Sequence, residues 1–253
     1  MKFTPSASDY DMEDVKNAMR VEEIIGGSEF PDLLKYTRSC NFKCEYAWIR
    51  EFLIESDKIL KAMSKPSDPF QSSFPETAMS TAILGPMMRL LGFYGNGLIV
   101  LHEAPVNFSL MGDSYSRTIE GFDLYENEEK HSVEGKIDFL ILSSESERKT
   151  EEIEITSPSG LNYLSLRKWE LGIEVKKCGE NNLSKHVSQL LLYMNVNINL
   201  ETPKYGLLTN GNENILIKLF RDSSQKKCYS LFEAKGVGYL FYILKFFRFR
   251  EHL

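Results

Sequence analysis

The sequence predicts an α/β fold with a mixed central β-sheet flanked by helices and an N-terminal helical extension. Apolar residues recur at a helical period before position 92, runs typical of strands follow from position 97 to 142, and strand and helix patterns alternate after position 170. A chain of 253 residues with 42 % hydrophobic content can bury one sizeable core. We therefore expect a helical extension, residues 1–74, packed on an α/β core, residues 75–253.

Two helices are predicted ahead of the sheet. Residues 39–63 carry apolar side chains at a helical period, which is typical of an amphipathic helix, and a loop rich in proline and serine follows at residues 64–74. The second helix begins at Pro75 and runs to Gly92, because proline is favoured in the first turn of a helix. Pro86 lies inside this helix and predicts a kink there.

Strands are predicted on both sides of a charged stretch at residues 143–154. We expect that stretch to be a solvated excursion and not an acidic ligand cluster, since like charges repel one another and stay in water. The runs before it are expected to form a meander, at residues 98–102, 108–111, 115–125 and 135–142. After it we expect a strand at residues 171–177 and a helix at residues 183–196 that is capped by Ser184. Two strands joined by a tight turn follow at residues 205–209 and 215–220, then an edge strand at residues 228–232 and a final helix at residues 236–249.

The composition restricts the partner and the compartment. A net charge of −6 and a pI near 5.4 do not mark a general polyanion binder, so a nucleic acid would have to meet a local patch. The first residues lack a signal-peptide pattern, and the longest apolar run, residues 239–244, is far shorter than the roughly 20 residues that span a bilayer. We expect an intracellular protein of the cytoplasm or nucleus that does not enter a membrane.

Several other functions are disfavoured by what the sequence contains. Cys40, Cys44, Cys178 and Cys228 are expected to be reduced thiols, and no second ligand pair accompanies Cys40 and Cys44 to complete a zinc site. Two small buried side chains on one helical face are the favoured reading of that pair. The sequence has no phosphate-binding loop, dinucleotide-binding glycine pattern or Gly-x-Ser-x-Gly elbow, which disfavours ATPase, dehydrogenase and serine hydrolase functions.

Two acids and a lysine form the most informative pattern. Side chains alternate between the faces of a strand, so Glu174 and Lys176 point the same way. Asp138, inside the apolar run 135–142, offers a second carboxylate on a neighbouring strand. Two converging carboxylates and a lysine suit a divalent cation and an activated water. Taken alone, Glu-x-Lys is a weak signal, because a solvated strand face explains it as well.

Gln189 and Tyr193 extend this pattern. They follow Lys176 by 13 and 17 residues and, at a spacing of four in a predicted helix, lie on one face. The order of a helix, antiparallel strands with Asp138, a strand with Glu174 and Lys176, and a helix with this pair resembles the PD-(D/E)XK nuclease superfamily, the restriction-endonuclease-like fold. The resemblance covers roughly residues 75–220. The chain lacks the proline that often precedes the first acid, and its interval from Asp138 to Glu174 is long for the family.

The resemblance implies a catalytic set and a metal. Asp138 and Glu174 match the two metal-binding acids, Lys176 matches the lysine that assists the attacking water, and Gln189 completes the catalytic set. Many members add a glutamate from a helix ahead of the sheet, and Glu76 is the candidate for this third metal ligand. An acid in a first helical turn also interacts favourably with the helix dipole, which alone could account for Glu76. The implied cofactor is Mg²⁺ or Mn²⁺, because carboxylate oxygens are suited to these ions.

Further residues and partners follow from the same resemblance. Glu45 and Glu51 on the earlier helix are the alternatives to Glu76, and substrate contacts are expected from Tyr193, Lys177 and Lys185. The implied partner is a nucleic acid, DNA ahead of RNA, and a homodimer is left open.

Two interpretations compete. The first is a metal-dependent nuclease that hydrolyses phosphodiester bonds. The second is an inactive nuclease-like fold that serves as a nucleic-acid or protein interaction module, which the acidic balance of the chain favours. A mixed α/β interaction protein in which Glu174 and Lys176 are simply an exposed face is also left open.

Overall fold

The computed structural model describes residues 8, 11–24, 30, 33, 47–64, 75–95, 97–110, 118–119, 122–123, 131–143, 168–194 and 203–249, and the statements below concern these residues. They form a mixed α/β structure in which helices flank a seven-stranded sheet, as the sequence predicts. None of the helices in these ranges has the length and apolar character that crossing a bilayer requires.

The helices and strands are numbered in chain order. The α-helices are α1 (Met12–Met19), α2 (Ala47–Ser64), α3 (Glu76–Met79), α4 (Gly85–Leu90), α5 (Val187–Met194) and α6 (Val237–Phe249). The strands are β1 (Val21–Glu23), β2 (Leu98–Leu110), β3 (Thr118–Ile119), β4 (Phe122–Asp123), β5 (His131–Ser143), β6 (Lys168–Val175), β7 (Lys204–Thr209), β8 (Glu213–Arg221) and β9 (Lys227–Lys235). A π-helical turn, Ser80–Leu84, joins α3 to α4, and a 3₁₀ turn, Leu183–His186, precedes α5.

The sheet has the strand order β1-β9-β8-β7-β6-β5-β2. Strands β2, β5 and β6 form an antiparallel meander. Helix α5 then crosses over the sheet, so that β7 lies parallel to β6, and β8 and β9 continue antiparallel. Strand β1, from the N-terminal part of the chain, pairs in parallel with β9 and closes that edge. β3 and β4 form a separate two-stranded ladder.

Strand β2 corrects the predicted meander. The sequence pattern divides this region at residues 103–107 around Pro105, whereas the structure runs one strand from Leu98 to Leu110. Proline donates no hydrogen bond, but β2 is an edge strand and has a partner on one side only, so Pro105 is tolerated there. The predicted edge strand at residues 228–232 is also wrong in position, because β1 lies outside β9.

The helical stretch before the sheet is confirmed but is not uniform. The widened π-turn ends at Gly85, whose N–H donates to the carbonyl oxygen of Ser80, five residues back. Pro86 follows immediately and has no N–H to offer to the helix. A π-turn at this point therefore takes the place of the predicted kink.

Some predicted features lie outside the described residues. These are Cys40, Cys44 and Glu45, most of the charged stretch at residues 143–154, and the ends of several predicted elements, including residues 39–46 and 195–196. Ser184 lies within the 3₁₀ turn, and the residue at the cap position, Asn182, makes no capping hydrogen bond through its side chain, so the predicted cap is wrong.

Two cores lie on opposite faces of the sheet. One is built around α1 and α5, with Val15, Leu190 and Ile217 among its buried residues. The other is built around α2, the α3–α4 stretch and α6, with Met79, Ile173 and Leu240 among its buried residues. The sheet is thus covered on both faces.

Candidate active site

The end of the β5–β6 ladder brings Asp138 and Glu174 together. The ladder pairs Phe139 with Ile173, which places Asp138 and Glu174 at the next position, opposite one another on neighbouring strands. The N–H of Val175 donates to Oδ2 of Asp138 over 2.7 Å. The Asp138 carboxylate therefore takes the place of a ladder carbonyl where the strands stop pairing, and the two acids lie on neighbouring strands, as the sequence predicts.

Lys176 lies one residue beyond the end of β6. Its N–H donates to the carbonyl oxygen of Thr209 over 2.8 Å, which keeps the chain against β7. Its Nζ donates to Oε1 of Glu174 over 2.8 Å, so the two side chains share a face, as the alternation predicts. Both residues are buried, with 4 % of Glu174 and 8 % of Lys176 exposed, which excludes the interpretation of the pair as a solvated strand face.

Gln189 on α5 closes a network around this ion pair. Its Oε1 accepts from Nζ of Lys176 over 3.2 Å, and its Nε2 donates to Oε1 of Glu174 over 3.0 Å. The same Nε2 donates to the hydroxyl of Tyr193 over 2.9 Å. The spacing of four therefore brings both residues to one face of α5, where the Tyr193 hydroxyl accepts a hydrogen bond that helps to hold the Gln189 side chain in place.

One carboxylate oxygen of Glu174 takes no part in this hydrogen-bond network. Oε1 of Glu174 accepts two hydrogen bonds, whereas Oε2 is buried and has no hydrogen-bond partner within the described part of the chain. A buried polar oxygen without a partner is costly, and each such group in a folded protein needs a physical reason. A cation bound at Oε2 would supply that reason.

The carboxylates are held in an environment that favours a proton or a cation. Burial raises the pKa of Glu174 to about 7, the charges of Asp138 and Glu76 raise it as well, and Lys176 offsets part of the effect. Burial also raises the pKa of Asp138, against the lowering by the Val175 N–H and Lys176. One ammonium group thus does not neutralise the acids around it, and the net field attracts positive charge.

Glu76 lies within electrostatic reach of both acids. Its charge contributes to the raised pKa of Asp138 and of Glu174, and it begins α3, which packs on the same face of the sheet as α2 and α6. Across the residues that the structure describes, however, no three acids, histidines or cysteines lie close enough together to enclose a metal ion. Mg²⁺ commonly uses only one or two carboxylates and completes its shell with water and substrate phosphate, so Asp138 and Glu174 are a sufficient protein contribution.

The predicted substrate contacts occupy different surroundings. Lys177 is exposed next to the site. Lys185 is also exposed, and its Nζ forms an ion pair of 2.9 Å with Glu180 that a phosphate would have to replace. Tyr193 is 2 % exposed and reaches the site through Gln189, so its contact with substrate stays a prediction.

His186 lies close to Lys176 but is held neutral. Burial lowers its pKa to about 4, and the charges of Lys176 and Lys185 act in the same direction. Its Nε2 is buried without a hydrogen-bond partner among the described residues. An uncharged imidazole at neutral pH adds no positive charge to the site.

Two residues near the site were not predicted. Glu103 on β2 falls between the pairs His102–Phe139 and Ala104–Ile137, hence opposite Asp138, and its charge contributes to the raised pKa of that acid. Its φ of 46° is unusual for a residue other than glycine, and such backbone strain is concentrated at functional sites. In the sequence Glu103 resembles any solvated strand residue, because only the strand register brings it opposite Asp138.

Gly135 is the second unpredicted residue. A Cβ atom at this position would lie 2.5 Å from Cε1 and 2.6 Å from the hydroxyl oxygen of Tyr193. Glycine at this position therefore leaves room for the Tyr193 ring to pack against β5. This close approach depends on the packing of α5 on the sheet and has no local signal in the sequence.

Replacing Gly135 with alanine should displace Tyr193 and destabilise the protein by about 1–3 kcal/mol, the usual cost of overpacking. Chemical denaturation measures the free energy of unfolding. In the double variant Gly135→Ala with Tyr193→Leu, the shorter side chain leaves room for the new methyl group. The loss of unfolding free energy in the double variant should therefore be smaller than the sum of the losses in the two single variants. Strictly additive costs would show that Gly135 and Tyr193 do not constrain one another.

Comparison with known proteins gives no relative from which residue roles could be transferred. No protein-family model matches the chain, and no curated protein matches it. The assignment of roles to Asp138, Glu174 and Lys176 therefore depends on their geometry and electrostatics.

Proposed function

We propose that this chain is a metal-dependent nuclease with a restriction-endonuclease-like core, which hydrolyses the phosphodiester bonds of DNA, with RNA as the alternative substrate. The observation that carries the proposal is the convergence of Asp138 and Glu174 on the buried Lys176, with Oε2 of Glu174 left without a partner. The order of elements supports it as well. A helical stretch, the meander β2-β5-β6, the helix α5 and the strands β7 and β8 follow one another in the order on which the resemblance depends.

The residues present fit Mg²⁺ or Mn²⁺. Asp138 and Glu174 offer hard oxygen ligands, which these ions prefer over sulfur or nitrogen. Binding at Oε2 of Glu174 would satisfy a buried oxygen that has no hydrogen-bond partner in the described part of the chain. The bound ion would polarise the scissile phosphate and lower the pKa of a water molecule. The charge of Glu76 would add to the negative field at both carboxylates.

The residues of the chain then have distinct tasks. Lys176 offers its ammonium group to the charge that develops on the phosphate and the attacking oxygen, in a buried site where such an interaction is strong. Gln189 holds Lys176 and Glu174 in one geometry by bonding to both. Tyr193 holds Gln189, and its own pKa, raised to about 12 by burial, keeps it protonated at neutral pH.

An inactive nuclease-like fold is the alternative, and the net charge of −6 favours it because a nuclease usually carries a basic surface. A role in binding alone does not explain why the fold buries Glu174 with an oxygen that lacks a partner. Leaving a buried carboxylate oxygen without a hydrogen-bond partner costs stability.

Incubation of the purified chain with supercoiled DNA, linear duplex, single strands and RNA tests the proposal. We expect cleavage of at least one substrate with Mg²⁺ or Mn²⁺ and none with a chelator. Absence of cleavage on every substrate with both ions would overturn the nuclease and leave the interaction module.

Replacing Gln189 with alanine should slow cleavage roughly 10- to 100-fold, the usual effect of removing a group that orients metal ligands. The loss comes from the freedom that Lys176 and Glu174 gain, because neither is itself removed. Initial cleavage rates at saturating Mn²⁺ measure it. Glu55→Gln is the control. Glu55 is an exposed acid on α2, distant in sequence from the site residues, and this variant should cleave at the wild-type rate. A Gln189→Ala rate equal to that of the control would contradict the orienting role.

A further inference from the structure

We infer that a cavity beside the candidate active site binds a single unpaired nucleobase, so that the substrate is a single strand or carries an unpaired base. This inference rests on the proposed function and specifies its substrate class. The cavity has a volume of about 630 Å³ and lies between helix α2, the α3–α4 stretch and the strands β2 and β5. That volume is in the range of pockets that hold a small organic ligand.

The cavity is a neighbour of the carboxylates through three of its lining residues. Phe139 follows Asp138 directly in β5, and His102 precedes Glu103, which lies opposite Asp138. The hydroxyl of Ser80 donates to the carbonyl oxygen of Glu76. Because neighbouring residues of a strand point to opposite faces, the cavity and the carboxylates lie on the two sides of the sheet at its β2 edge. A nucleic-acid strand would have to pass over this edge of the sheet to contact both.

The chemistry of the lining is suited to a flat aromatic ligand. The rings of Tyr94 and His102 are nearly parallel, at 11°, with centroids 6.1 Å apart. The Tyr94 hydroxyl and Nε2 of His102 are 3.3 Å apart, so the two rings meet at their edges and do not cover each other's faces. The ring of Phe139 packs against that of His102 in an edge-to-face arrangement, with 4.6 Å between centroids and 62° between the ring planes.

Tyr94 is available to a ligand, since 47 % of it is exposed. Every nucleobase offers a face that can stack on an exposed aromatic ring. Arg89 lines the same cavity and lies close enough to Tyr94 for its charge to act on the phenol. A guanidinium group beside a stacking surface suits the phosphate that accompanies a base.

Binding of fluorescein-labelled 12-mers, measured by fluorescence anisotropy with the full chain in chelator, tests the inference without cleavage. We expect single-stranded DNA or RNA to bind more tightly than the duplex of the same sequence. Replacing Tyr94 with alanine should weaken single-strand binding roughly 10- to 100-fold, the range that loss of one base–aromatic stack produces. Tyr94→Phe should retain most of the affinity, and a 12-mer made of abasic sites should bind the wild type as weakly as the normal strand binds Tyr94→Ala.

Ile54→Ala is the matched control, because Ile54 is exposed to the same extent, 47 %, but lies on the opposite face of α2 from Phe52, which lines the cavity. It should bind like the wild type. Equal affinity of Tyr94→Ala and the wild type for the normal strand, or equal affinity of the wild type for normal and abasic strands, would overturn the inference. Cleavage with unchanged binding by Tyr94→Ala would overturn the base pocket and leave the nuclease. Base-dependent binding without metal-dependent cleavage would support the pocket and overturn the nuclease.

Discussion

Replacing Lys176 with methionine should lower the rate of metal-dependent cleavage roughly 100- to 1,000-fold, the usual cost of removing one group that stabilises charge in a transition state. Methionine fills a similar volume but carries no charge, so Glu174 loses its ion pair and the developing charge on the phosphate loses its partner. Metal binding should persist, because Lys176 is not a ligand. Cleavage rates and Mn²⁺-induced thermal stabilisation, measured on the same preparation, separate the two effects.

Asp138→Asn and Lys58→Ala complete this experiment. The asparagine variant should lose both cleavage and thermal stabilisation by Mn²⁺, since it removes a charged ligand. Lys58 is an exposed lysine on α2 paired with Glu55, and its replacement should change neither measurement. Cleavage that persists at the wild-type rate in both Lys176→Met and Asp138→Asn would show that another protein in the preparation is responsible.

Metal binding should strengthen with pH and level off above about pH 7. Glu174 must lose its proton before it can bind a metal, and its pKa is about 7, so the affinity for Mn²⁺ should rise up to roughly tenfold per pH unit below that value. Isothermal titration calorimetry between pH 6 and pH 8 measures this dependence. An affinity for Mn²⁺ that does not change from pH 6 to pH 8 would contradict the assignment of the buried Glu174 as a metal ligand.

The same titration should appear in the stability of the metal-free protein. The folded pKa of Glu174 lies above its ordinary value of 4.5, so the stability that this group contributes is complete below pH 4.5 and is lost as the pH rises through about 7. The difference corresponds to on the order of 3 kcal/mol. His186 acts in the opposite direction, because its lowered pKa makes the protein more stable as the pH rises from about 4 to 6.5. The wild type must therefore be compared with Glu174→Gln in chelator, and its stability relative to this variant should fall between pH 5 and pH 7.5.

The alternation of strands and helices could be predicted because it depends on the local periodicity of apolar residues in the sequence. Helix α5, the hairpin of β7 and β8, and α6 have apolar patterns that only one element type satisfies. The continuity of β2 through Pro105 could not be predicted, because a proline is tolerated or not according to whether the strand has neighbours on both sides. The position of β1 beside β9 depends likewise on contacts between residues some 200 positions apart in the sequence.

The centre of the candidate site could be predicted for a similar reason. Alternation along β6 brings Glu174 and Lys176 to one face, and helical spacing brings Gln189 and Tyr193 to another, so four side chains depended only on local geometry. Glu103 depended on the register between β2 and β5, and Gly135 on the space that the Tyr193 ring needs. Neither register nor packing distance is visible in a single sequence.

The most direct measurement is the anomalous scattering of crystals of the chain soaked in Mn²⁺ at pH 8. We expect a peak within coordination distance of a carboxylate oxygen of Asp138 and of Oε2 of Glu174, with Lys176 still bonded to Glu174 through Oε1. The peak should be absent from crystals of Asp138→Asn. A map with no peak between these two carboxylates, in crystals where Glu174 keeps its contacts with Lys176 and Gln189, would contradict the metal site and with it the proposed nuclease.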